Sequence, residues 1–128
     1  MVKDYGNCLY NASKFILLCG DKDPNLRLVM GILKLLSSKH INNVKFIPYA
    51  HVWVENIKEN VVIDNFGKGF SETPGDYNIL MKGDWHSKHY PKNISYFTRE
   101  EVVNRKPDKK IKELEKFWGN YLEGQNNG

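Results

Sequence analysis

The stretch from Ala50 to Asp64, A-H-V-W-V-E-N-I-K-E-N-V-V-I-D, constrains the fold of this chain more than any other. Apolar and non-apolar residues alternate from His51 to Glu55, and β-branched residues return at Val61, Val62 and Ile63. A polar break, Asn56-Ile57-Lys58-Glu59, lies between the two runs. Strands joined by so short a break form a β-hairpin. Pairing Glu55 with Asn60 across a four-residue loop sets Trp53 opposite Val62 and His51 opposite Asp64, all on one face. Opposed Cβ atoms stand roughly 4.5–5.5 Å apart, which brings an imidazole and a carboxylate within hydrogen-bonding reach. A histidine oriented by an acid is half of a catalytic triad. A His and an Asp also suit the two ends of an ordinary hairpin, and alternation alone does not separate the two readings.

The missing half is a nucleophile, and the candidate is Cys8. It follows Asn7 and opens a run with apolar residues at 9, 12, 15, 16 and 19, which is helical spacing. With Asn7 as N-cap, Cys8 lies in the first helical turn, where free N–H groups and the helix dipole favour a thiolate. The alternative is that Cys8 merely packs, as cysteines often do. Cys19, beside the terminator Gly20, fits packing better. In one helix the two cysteines lie roughly 16 Å apart at about 1.5 Å per residue, too far for a disulfide, so both are expected as thiols.

Asn7-Cys8 opening a helix with Ala12 in its first turns, then His51-Val52-Trp53-Val54-Glu55, then Val62-Ile63-Asp64, resembles the Cys, His, Asp order of papain-like and transglutaminase-like thiol enzymes. It is also similar to short phage and bacterial proteins with an N-C-x-x-A start and an H-A-W-V-E strand, with one residue more before Ala12 here and Val52 standing where the strand's Ala usually is. The likeness spans roughly residues 5 to 66, about half the chain. It implies Cys8 as nucleophile, His51 as base and Asp64 as orienting acid. The implied chemistry is acyl transfer or hydrolysis at an amide, peptide or isopeptide bond through a thioester, with a protein, peptide or small amide as substrate and no cofactor. The Cys8 N–H is the first expected oxyanion donor; Asn7 or Tyr5 is a candidate for the second. Trp53, sharing the His51 face, either walls the cleft or fills the core. The competing reading is a non-enzymatic binding or inhibitory protein built on a thiol-enzyme scaffold, with Trp85, Tyr90, Tyr96 and Phe97 at its surface.

At 128 residues, 41% hydrophobic and 27% charged, the chain is read as one α+β domain over 1–123, with a disordered Gly/Asn-rich tail at 124–128. An N-terminal helix carrying Cys8 packs on a small antiparallel sheet, and C-terminal helices cover it. The net charge of +4 comes from interleaved rather than clustered residues, which argues against nucleic-acid binding. The beginning of the sequence lacks an apolar signal core and no apolar run approaches 18 residues. A cytoplasmic protein without membrane contact is expected, and the resemblance implies a phage-encoded one.

Between and beyond these landmarks the sequence is less directive. Leu26 to Leu36 fits both alternating and helical spacing, and the resemblance tips it to a strand. Residues 37–43, including His40, read as a connection, and Val44 to Tyr49 as an extended lead-in broken at Pro48. Gly67-Lys68-Gly69-Phe70 reads as a turn, and 71–81 as room for a short helix. Gly83 to Pro91 reads as an aromatic-rich loop; Asp84, His86 and His89 within it are a weak metal-ligand pattern, and no metal is assigned. Ile94 to Phe97 alternates as a short strand, and Thr98-Arg99-Glu100-Glu101 is a capping box starting a helix to about Arg105. Pro107 ends it, and Asp108 caps a last helix with a stripe of Ile111, Leu114, Phe117 or Trp118, and Tyr121 or Leu122.

Overall fold

The computed structural model describes residues 4–36, 46–64 and 78–114, with side chains over 8–34, 50–64 and 78–114. Its elements are α1 (Asp4–Cys19), β1 (Leu26–Leu36), β2 (Phe46–Asn56), β3 (Val61–Asp64), β4 (Asn78–Met81), α2 (Lys82–His89), β5 (Lys92–Phe97) and α3 (Arg99–Val103). A further helical segment occupies 106–114. All strand pairs are antiparallel, in the order β4-β3-β2-β1-β5. The molecule is therefore α+β. No helix among the described residues is long and apolar enough to cross a membrane.

The sheet separates two apolar clusters. On one face Leu26, Leu28, Met30 and Ile32 of β1 and Ala50, Val52 and Val54 of β2 pack with Ala12 and Ile16 of α1, Val102 of α3, and Ile111 and Leu114. On the other, Val29, Leu33, Trp53 and Val62 pack with Trp85 of α2. β1 is thus covered on both faces, which is why its sequence, LRLVMGILKLL, is apolar nearly throughout instead of alternating. Gly31 is required where it stands: a Cβ there would lie 2.9 Å from the Lys92 carbonyl oxygen and 3.4 Å from the Trp53 ring. Opposite it β5 carries an extra residue, the register shifting between Met30 and Ile32, with Asn93 nearby at φ 55°.

The hairpin forms, in a different register from the one alternation suggests. Asn56 pairs with Val61, Glu55 with Val62 and Val54 with Ile63, so the loop is 57–60 and not 56–59. The Asn56 side chain decides this. Its Oδ1 accepts from the Lys58 and Glu59 amides at 3.0 Å each, its Nδ2 donates to Asp23 Oδ2 at 3.1 Å, and Asn60 closes the loop at φ 56°. Trp53 then stands level with Asp64, and His51 lies two residues further along β2 on the same face.

Other expectations need correction. α1 begins at Asp4, so Asn7 is not its N-cap and Cys8 lies past the first turn. Pro48 does not break the lead-in: β2 runs through it, pairing it with Lys34. A residue without an N–H is compatible with a paired strand where its nitrogen points away from the partner. Residues 78–81 are strand β4 rather than helix, and 82–89 are helix α2 rather than loop. The capping box at Thr98 is present in full, but α3 stops at Val103. The last helical segment starts at 106, ahead of Asp108, with Pro107 in its first turn, where the missing N–H costs nothing. The expected connection at 37–43, the Gly67–Phe70 turn, the helix start near Ser71 or Thr73, the aromatic end of the last stripe and the 124–128 tail lie outside the described residues.

Candidate active site

His51 is buried on β2, and its Nε2 donates to Asp64 Oδ2 at the end of β3 across 3.0 Å. The two are diagonal rather than directly opposed, a separation that long side chains bridge. The same ring hydrogen-bonds the Cys8 side chain of α1. With Nε2 committed to Asp64, Nδ1 is the ring nitrogen left for the thiol. α1 packs mainly against β2, so the thiol–imidazole contact joins the helical layer to the tryptophan layer. Burial works against a charged His51, but hydrogen bonds to Asp64 and Cys8 outweigh it and raise the ring from its ordinary 6.5 to about 10. His51 is therefore an imidazolium at neutral pH, flanked by a carboxylate and a sulfur.

The remaining expected site residues divide. Trp53 is 1% exposed, its ring 6.0 Å from that of His51 and 4.7 Å from that of Trp85. Sealed between strand and helix, it fills the core and does not wall a substrate cleft. The backbones of Tyr5 and Asn7 belong to α1, and their side chains lie outside the described residues. The Cys8 amide falls within the hydrogen-bonded ladder of a helix starting at Asp4, which removes it as a free oxyanion donor. Cys19, half-buried against the helical cluster, is in no disulfide, and neither is Cys8.

Beside this site lies a polar network that alternation did not reveal. Glu55, fully buried on the His51 and Trp53 face, accepts from Trp53 Nε1 (2.7 Å) and His86 Nε2 (3.2 Å) on one oxygen. Its other oxygen accepts from Tyr96 Oη (3.2 Å) and faces Lys82 Nζ (3.2 Å). Lys82 also donates to Tyr96 at 3.1 Å, and that bond, with Glu55 beside it, holds the ammonium above its ordinary pKa. Two of the donors belong to α2, so the buried carboxylate fastens that helix over the sheet. The sequence signal was a Glu occupying a strand position whose neighbours two and four residues back, Trp53 and His51, face inward.

α2 also carries His89, whose ring packs against Trp85 at 4.6 Å between centroids, tilted by 57°. Burial, partly offset by Asp64 and reinforced by the His51 charge, lowers its pKa, so its ring is neutral near pH 7. The weak metal pattern thus resolves into separate uses, with His86 on Glu55, His89 on Trp85 and Asp84 exposed. No group of three His, Cys, Asp or Glu side chains among the described residues is placed to hold a metal ion. Comparison of the chain with protein-family models, with curated proteins and with solved structures finds no match in any of the three.

Proposed function

We propose that the protein is a thiol hydrolase or acyltransferase acting on an amide, peptide or isopeptide bond, on a papain-like or transglutaminase-like core. The observation that carries this reading is the single buried imidazole shared between a thiol and a carboxylate, with Asp64 3.0 Å from Nε2 and Cys8 hydrogen-bonded to the same ring. A cysteine helix packed on an antiparallel sheet whose adjacent strands bring the His and the Asp supports it further.

In this mechanism the Cys8 sulfur attacks the carbonyl carbon, and the positive His51 ring compensates the charge on the nucleophile. As the tetrahedral intermediate collapses, His51 gives its proton to the departing amine nitrogen, the C–N bond breaks and a Cys8 thioester remains. Water or a second amine then attacks the thioester while the neutral ring accepts its proton, releasing the acyl group and restoring the imidazolium. Asp64 holds the ring orientation and its charge throughout.

The test is turnover on a panel of amide, peptide and isopeptide substrates, with thermal melts alongside. Folded Cys8→Ala and His51→Ala variants are expected to lose nearly all activity. A folded Cys8→Ala protein that retains its function would instead establish the binding-module reading.

A further inference from the structure

The acyl-transfer reading leaves one polar group near the thiol unused. Asn11 stands three residues after Cys8 on α1, and its Oδ1 is buried with no hydrogen-bond partner among the described residues. Positions three apart are neighbours on a helix surface, and helical side chains lean toward the N-terminus, so Asn11 covers the turn that carries Cys8. Ala12 and Ile16 turn into the sheet, with Cys8 against the same cluster. At about 100° per residue, Asn11 flanks Cys8 on the side away from Ala12. Buried side-chain oxygens almost always find a donor in folded proteins. One left unpaired a helical turn from a candidate nucleophile is open to a donor carried by a ligand.

We propose that Asn11 Oδ1 accepts a hydrogen bond from the N–H of the amide whose carbonyl Cys8 attacks. The inference rests on the acyl-transfer reading and adds a substrate class to it. Bonds whose nitrogen keeps a hydrogen, peptide or isopeptide, are taken in preference to esters and to the tertiary amide before a proline. Holding that N–H also turns the nitrogen lone pair away from Asn11, leaving it open to the proton His51 delivers. No covalent step changes; Asn11 touches substrate and transfers nothing.

The experiment compares alkylation of Cys8 by N-methyliodoacetamide and by methyl iodoacetate, which differ in an N–H for an oxygen beside the carbonyl. Peptide mapping separates Cys8 from Cys19, and a free small thiol supplies the reference amide-to-ester rate ratio. At Cys8 the ratio is expected to exceed the reference by about tenfold, the worth of one hydrogen bond. Asn11→Leu is expected to return it to the reference, and Asn11→Asp, which keeps acceptor oxygens, to preserve it. A wild-type ratio equal to that of the free thiol, or one unchanged in a folded Asn11→Leu variant, overturns the inference while leaving rapid Cys8 alkylation, and so the acyl-transfer reading, intact. Cys8 reacting no faster than Cys19 with either reagent overturns both.

Discussion

At His51 one ring answers to three stretches of chain: its own strand, Asp64 from β3 and Cys8 from α1. The pairing of His51 with Asp64 was legible in sequence despite an incorrect register, for a simple reason. Moving the closing pair from Glu55–Asn60 to Asn56–Val61 displaces the partners by two residues, and an even displacement keeps every side chain on its face. A slip of one would have sent Asp64 to the α1 side. The Cys8 contact, by contrast, had no local signal beyond helical spacing and came from the resemblance. Asp64→Asn keeps the shape, removes the charge and can offer the ring an N–H where it needs an acceptor, a change that costs about 10⁴-fold in turnover in a serine-protease triad. Here Cys8 also hydrogen-bonds the ring, so the loss is expected to be smaller than that but measurable in kcat/KM, with the variant folded. The alkaline limb of its pH profile should move down from near pH 10 toward the ordinary histidine range, because one of the two hydrogen bonds that raise His51 is gone. An alkaline limb that does not move would mean that Asp64 does not set the protonation of His51.

Among the elements, α2 was the least legible. Its eight residues, KGDWHSKH, include one buried side chain, Trp85, so there is no apolar period to find. What makes it a helix is tertiary: Trp85 against Trp53, and Lys82 and His86 on the Glu55 carboxylate. The hairpin turn was half legible. The loop length was readable, but the Asn56 side chain, which bonds two loop amides, sets where it begins. Asn56→Ala removes two bonds to loop amides and one to Asp23, and is expected to lower stability by about 1–3 kcal/mol in a denaturant melt. Asn56→Asp, which keeps the acceptor for the loop, is expected to recover most of that in spite of facing Asp23. Glu55→Gln replaces the charge that Lys82 and His86 share. Hydrogen exchange should then speed up across 82–89 while β1 and β2 stay protected. Uniform deprotection of sheet and helix together would show that Glu55 supports the whole core rather than fastening α2.

For the whole molecule, the two-layer cover of one sheet explains what sequence reading resolved and what it left ambiguous. α1, outside the sheet, shows one face to solvent and keeps a period; β1, enclosed by both layers, has none, and its strand assignment needed the resemblance. The same enclosure places two histidines of opposite tendency near one another, and together they shape stability against pH. His51 is raised, to about 10 against 6.5 in the unfolded chain. The folded state therefore holds the extra proton more tightly, so its contribution is fully present below about pH 6.5 and is lost as pH climbs toward 10. His89 is lowered, chiefly by burial, so its neutral ring favours the folded state above the unfolded pKa, and that contribution is lost as pH falls through the acid side of 6.5. Thermal melts from pH 5 to 10 should accordingly decline at both ends. His51→Asn is expected to flatten the alkaline decline and only to soften the acid one, since burial still lowers His89 without the His51 charge, and His89→Asn to flatten the acid decline and keep the alkaline one. If His51→Asn left the alkaline decline unchanged, the imidazolium would not be part of the native state, and the shared-proton arrangement with Cys8 and Asp64 would lose its basis.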